Sequence, residues 1–148
     1  MLADNVTVTG LTINSASSSS GDSFAIQGSG VSGVTLSNNT VTATADAGGD
    51  NAVAIIFNAG SSDNAIIGNT IGTVNTPGSF SDGIVISNAS NTTVSNNTID
   101  ATGGINRVLS LINATNLAGS GNVAVSGVCN SISANTGSVG FAAGSTCP

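Results

Sequence analysis

The stretch that most constrains this chain is Val34-Thr35-Leu36-Ser37-Asn38-Asn39-Thr40-Val41, two short alternating strands hinged on an Asn-Asn pair. Alternation with period two marks half-buried strands, and the chain writes the pattern again and again. Aligned copies are Val6 to Ile13, Asn64 to Ile71, Thr92 to Ile99 and Val123 to Asn130. Equivalent apolar positions Val8, Leu36, Ile66, Val94 and Val125 fall about 30 residues apart, within the range of solenoid periods. A unit this small cannot bury its apolar face alone, so copies must stack.

A second echo lies between the copies. Phe24-Ala25-Ile26, Ala54-Ile55-Ile56, Ile84-Val85-Ile86, Leu109-Ser110-Leu111 and Val139-Gly140-Phe141 each read as a third strand. Each repeat is then strand, sharp turn, strand, variable loop, strand. The expected fold is all-β: one domain over residues 1–148, a right-handed parallel β-helix of about five three-stranded rungs, starting near 5, 33, 63, 91 and 122. At about 4.8 Å per rung the stack is about 24 Å long. The hinge column reads Gly10, Asn38, Gly68, Asn96, Gly127, the residue types that tolerate positive φ most readily. The next column, Leu11, Asn39, Asn69, Asn97, Val128, points inward by parity, so three amides should stack in a ladder. Aliphatic residues replace them at the ends, where a buried amide would lack a neighbour at a cost of about 1–3 kcal/mol. Asn58, Asn88 and Asn113, after the third strands, are expected to form a second ladder.

This pattern resembles the pectate-lyase-like right-handed parallel β-helix superfamily, including its short carbohydrate-binding and hydrolysis repeats. The resemblance covers nearly the whole chain, and it implies a fold rather than an activity, because lyases, hydrolases, adhesins and viral tailspikes share that fold.

Composition narrows the chemistry. There are 20 Gly, 3% aromatic and 5% charged residues, with no His and one residue among Lys and Arg. That excludes a basic nucleic-acid footprint and any His-based metal or nucleophile site. No apolar run approaches the ~20 residues of a membrane span, and no leader pattern precedes the first strand. Sparse charge and surfaces of Ser, Thr and Asn fit a secreted or cell-surface β protein, and the resemblance implies a short or truncated bacterial member.

Several residues invite a chemical reading. Asp22, Asp46, Asp50, Asp82 and Asp100 lie in or beside the loops between second and third strands, a flank that could offer Ca²⁺ its oxygen ligands. No local run clusters them, so solvated turn residues are the favoured reading and no cofactor is expected. Arg107 sits four before Leu111, as Asp82 does before Ile86, which puts the two one rung apart. Lyases of the resembling fold use an Arg or Lys base beside calcium-binding Asp, whereas a neutralising salt bridge is the simpler reading. The family's Asn-Thr-Asp, Asp-Asp, Gly-His-Gly and Arg-Ile-Lys hydrolase motifs are missing. Thr12, Thr40, Thr70 and Thr98 form an outward column like an ice-binding face, though Thr is also an ordinary exposed strand residue. Ile55, Phe57, Val85 and Ile112 should point outward as an apolar interface patch, covered by the loop that carries Phe80 or left for a partner.

Cys129 and Cys147 would tie the 142–148 tail across the last rung if bonded, worth roughly 3 kcal/mol, and would imply an oxidising compartment. Asn-x-Ser/Thr triplets begin at Asn5, Asn38, Asn88, Asn91, Asn96 and Asn113. Such triplets are expected by chance in an Asn- and Thr-rich chain and several are expected inside the coil, so no glycosylation is expected. Leu2, Val6 and Val8 lack a capping helix, so the N-terminal rung is expected to be open to self-association, which fits a C-terminal piece of a longer β-helix or an oligomer that caps itself. The leading functional expectation is a non-catalytic extracellular or surface β-helix that binds polysaccharide or a protein surface. A polysaccharide lyase or hydrolase, or a C-terminal piece of one, is the alternative, and a structural spacer the third.

Overall fold

The computed structural model describes residues 1–17, 21–45, 51–75, 79–142 and 146–147. The strands assemble into three parallel sheets, each built by stacking equivalent pieces of successive repeats. The first sheet holds β1 (Thr7–Thr9), β4 (Thr35–Ser37), β7 (Ala65–Ile67) and β10 (Thr93–Ser95). The second holds β2 (Thr12–Ser17), β5 (Thr40–Ala45), β8 (Thr70–Asn75), β11 (Thr98–Thr102) and β13 (Val123–Ser126). The third holds β3 (Ser23–Ser29), β6 (Ala52–Asn58), β9 (Phe80–Ser87), β12 (Ile105–Ile112) and β14 (Val128–Ile132). The chain is a parallel β-solenoid of four complete turns. Among the described residues a fifth turn supplies full strands to two sheets, and meets the first at the isolated bridge Thr93↔Ala118 and through Ser120 N, which donates to Ser95 Oγ. A short antiparallel pair, β15 (Val139–Gly140) and β16 (Thr146–Cys147), closes the C-terminal end.

The bends sit where the sequence can adopt positive φ. The corner between first and second sheets reads Gly10 (φ 69°), Asn38 (55°), Gly68 (66°), Asn96 (56°) and Gly121 (72°). Gly127, expected as the fifth member, instead turns the chain between β13 and β14 at φ 107°. Val123–Ser126 caused the difference. It alternates like a first strand, yet it pairs with β11 through Thr98↔Val123, so it is a second strand. The fifth turn therefore opens at Asn116 (φ 53°), in line with Asn5, Gly33, Asp63 and Asn91, and not near 122.

That shift adds a member to the internal ladder. Asn39, Asn69, Asn97 and Asn122 are all buried. Asn39 Nδ2 donates to Asn69 Oδ1, Asn69 Nδ2 to Asn97 Oδ1 and Asn97 Nδ2 to Asn122 Oδ1, each at 3.0 Å. Each side-chain oxygen also accepts the backbone N–H of the preceding ladder residue, as in Asn39 N to Asn69 Oδ1 at 2.9 Å. Asn122 Nδ2 ends the run on the Gly140 carbonyl, 3.0 Å away. The expected second ladder is a different object. Asn88 and Asn113 are exposed at φ 48° and 49° and join outside the coil, Asn113 Nδ2 to Asn88 Oδ1 at 3.1 Å. Asn58 takes no part and pairs in register with Ser29.

Apolar columns fill the interior: Leu36, Ile66 and Val94 from the first sheet, Val41, Ile71 and Ile99 from the second, all buried. Each such side chain contributes roughly 1.5–3 kcal/mol by leaving water. The third strand breaks strict alternation. Ala54, Gly83 and Val108 and their successors Ile55, Ile84 and Leu109 are consecutive buried pairs, a bend common to these three turns. Ile55 thus stacks with Ile26 and Ile84 inside, and Phe57 stacks with Gly28 and Ile86. Both were expected outside, and a one-residue slip in register reverses every face. Gly28 leaves the space that Phe57 fills, since a Cβ there would stand 2.6 Å from the ring.

Candidate functional site

The chemistry-bearing side chains gather where the third sheet begins, beside the loops from the second sheet. One tier of that edge runs Asp22, Asn51, Phe80, Ile105. Asp22 Oδ1 accepts both the backbone N–H and the Nδ2 of Asn51, at 2.8 and 3.0 Å. Asn51 Oδ1 accepts the Phe80 N–H at 3.1 Å, and Phe80 pairs with Ile105. The next tier is Phe24, Val53, Asp82, Arg107, Val128, paired in register across five strands.

Asp82 and Arg107 meet as the sequence spacing indicates. Arg107 Nε donates to Asp82 Oδ1 and Nη2 to Oδ2, the ion pair closing at 2.5 Å. The guanidinium carbon also lies 3.7 Å from the centre of the Phe80 ring, a cation–π contact. Both side chains are largely enclosed, at 13% and 4% exposure for Arg107 and Asp82. Burial pushes the Asp82 carboxyl above its ordinary value, and the hydrogen bonds and charge of Arg107 only partly offset that. Both Asp82 oxygens and two guanidinium nitrogens are thus engaged with each other.

Around this pair the surface is apolar. Phe24 is 37% exposed, Phe80 39%, Ile105 50% and Val128 63%. Of the patch expected from sequence, Ile55 and Phe57 are core. Val85 faces outward but is nearly covered, and Ile112 is half-buried in the outward column with Ser87 and Ile132. The exposed apolar face lies one tier towards the loops. Phe24 and Phe80 each precede an inward residue by one or two positions, and only the strand bend reveals that they face out.

The remaining acidic residues do not converge. Asp100 projects outward from β11, half-buried, with Oδ1 enclosed and unpartnered. Asp46 and Asp50 lie outside the described residues. Among the described residues no three His, Cys, Asp or Glu side chains form a group that could hold a metal ion. Among the described residues Asp82 is paired with Arg107, and Asp22 Oδ1 accepts from Asn51.

No family model, no curated protein and no solved structure matches this chain.

The Thr column is real as geometry. Thr12, Thr40, Thr70 and Thr98 pair in register and all are exposed. Its neighbouring column, Asn14, Thr42, Gly72, Asp100, is chemically mixed, so the face is not a regular hydroxyl lattice. Cys129 is disulfide-bonded, and the sequence holds one other cysteine, Cys147. Cys129 stacks on Leu109 at the inner face of the last turn, while Cys147 pairs with Val139 in the closing strands. At the opposite end Leu2, Val8 and Ile13 pack on the core but are only partly buried.

Proposed function

We propose that this chain is a non-catalytic, extracellular or surface β-helix that binds glycan through the loop-side edge of its third sheet. The observation that carries the reading is the exposure of Phe24 and Phe80, two turns apart on one sheet edge that also carries the hydrogen-bonding groups of Asp22 and Asn51. Aromatic faces provide apolar contact for sugar rings, and neighbouring amides and carboxylates provide hydrogen bonds that orient them. The single guanidinium is spent on Asp82 and Phe80, which weighs against Arg107 as a lyase base. The disulfide at Cys129 supports an oxidising, extracytoplasmic location. Membership of the pectate-lyase-like class is part of the same proposal, supported by the three-sheet parallel coil and its Asn ladder.

Titration of neutral and acidic oligosaccharides by calorimetry tests it. Binding should fall roughly tenfold in Phe24→Ala and in Phe80→Ala, the loss of about 1.4 kcal/mol of ring contact. Unsaturated or reducing-end products from any polysaccharide would replace this reading with an enzyme. A second reading, a protein partner on the same face, is favoured by exposed Ile105 and Val128. A defined complex with a protein and no glycan affinity would establish it.

A further inference from the structure

We propose that Asn5, Asn38 and Asn96 are acceptor sites for N-linked glycosylation. The sequence reading expects several of the chain's six Asn-x-Ser/Thr triplets inside the coil. The structure puts all six acceptor residues outside: Asn5, Asn38, Asn88, Asn91, Asn96 and Asn113 are exposed, each at a positive-φ corner. Geometry explains why. A corner needs a residue that accepts left-handed φ, and Asn does so at little cost. Two positions on, the new strand presents an outward side chain, where Thr is favoured. The coil thereby writes Asn-x-Thr at its bends, as in Asn38-Asn39-Thr40 and Asn96-Asn97-Thr98 entering the second sheet and Asn5-Val6-Thr7 entering the first. The middle residue turns inward: Asn39 and Asn97 are buried, while Asn38, Thr40, Asn96 and Thr98 are exposed. Both groups that a glycosyltransferase must read therefore face solvent together.

Side-chain bonding separates the six. Asn91 Nδ2 donates to Asp63 Oδ1 at 2.9 Å, Asn88 Nδ2 to Ser87 Oγ at 3.2 Å and Asn113 Nδ2 to Asn88 Oδ1 at 3.1 Å. Asn5, Asn38 and Asn96 make no side-chain hydrogen bond among the described residues. The carboxamide oxygens of Asn5 and Asn38 rest over Gly33 and Gly68 of the next turn, where a Cβ would approach to 2.5 and 2.7 Å, and Gly121 serves Asn96 in the same way. Glycine on the adjoining turn keeps these three amides uncrowded.

The donor is a glycosyl diphosphate, either lipid-linked or nucleotide-linked. Nδ2 bonds to the sugar C1 as the C1–O bond to the diphosphate breaks. The diphosphate departs with the electron pair, and one Nδ2 proton passes to the transferase's base. The test incubates the folded, purified chain with a lipid-linked oligosaccharide and its transferase, and separately with a nucleotide sugar and its transferase, and maps added mass by peptide mass spectrometry. Glycan should appear at Asn5, Asn38 and Asn96, with about tenfold less at Asn88, Asn91 and Asn113, which must first give up a hydrogen bond. Thr40→Ala, which leaves Asn38 in place, should abolish modification at Asn38 alone, and Thr40→Ser should retain it. The arm that reacts identifies the donor source. No added mass in either arm, or equal occupancy at all six, overturns the proposal.

Discussion

Replacing Asn97 by Ala isolates what the internal ladder contributes. Its Oδ1 accepts the Asn69 N–H at 2.9 Å and the Asn69 Nδ2 at 3.0 Å. Its Nδ2 donates to the Ile66 carbonyl at 2.9 Å and to Asn122 Oδ1 at 3.0 Å. After the substitution Asn69 Nδ2 still reaches the Leu36 and Ile67 carbonyls, and Asn122 Oδ1 still accepts the backbone N–H of residue 97. The buried Asn69 N–H loses its acceptor, a loss of about 1–3 kcal/mol, and the other broken bonds add roughly 1 kcal/mol. The sum, about 2–4 kcal/mol, corresponds to a fall in Tm of roughly 5–15 °C for a chain of this size. Far-UV circular dichroism melts measure it. Asn113→Gly is the comparison, because glycine keeps the left-handed corner and only one exposed hydrogen bond is lost, so it should cost under about 1 kcal/mol. If Asn97→Ala melts within about 2 °C of the native chain, or no lower than Asn113→Gly, the ladder does not hold the turns together and the argument from buried amides fails.

Three further outcomes follow from the packing and the charges. Gly28→Ala should destabilise by about 1–3 kcal/mol in denaturant titration, because its Cβ meets the Phe57 ring and Val31, and Gly28→Ala with Phe57→Leu should recover part of the loss. Asp82 binds its proton more tightly in the fold than in the unfolded chain, since burial raises it above 3.8. Its contribution is therefore full below that value and is lost as pH rises through the folded value. Asp82→Asn should flatten the stability–pH curve just above pH 3.8, and parallel curves would exclude Asp82 as the source. Reduction, or Cys129→Ser, should remove roughly 3 kcal/mol, and the Cys129→Ser variant should melt at the same temperature with and without reductant.

Repeat, sheet number and three of the four ladder residues are legible in the sequence because each depends on a local pattern that recurs. Val8, Leu36, Ile66 and Val94 mark the period, and Asn39, Asn69 and Asn97 fall beside it. The fifth turn misleads because Val123–Ser126 suits either of two sheets, and the deciding residue is Asn122, whose amide is recognisable only against Asn97. The third strand misleads because its bend inserts a second inward residue, which alternation cannot represent, so Ile55 and Phe57 exchange faces with Ile56. The Arg107–Asp82 pair is legible because both lie at one register position. The Phe80 ring over Arg107 is not, since it depends on how the chain enters β9 after a loop whose length varies between turns.

The ladder also sets the terms on which this coil can change its length. Its successive members are separated by 30, 28 and 25 residues, yet the amides meet at one spacing throughout. The axis thus counts turns and ignores how much chain each turn contains. Residues can be gained or lost in the loops between second and third strands without the neighbouring turns registering it, whereas one residue added between a corner and its ladder Asn would throw every later turn out of phase. Variation is steered towards the loop-side edge, where Phe24, Phe80 and Ile105 meet solvent, so the most changeable part of the chain borders its candidate binding face.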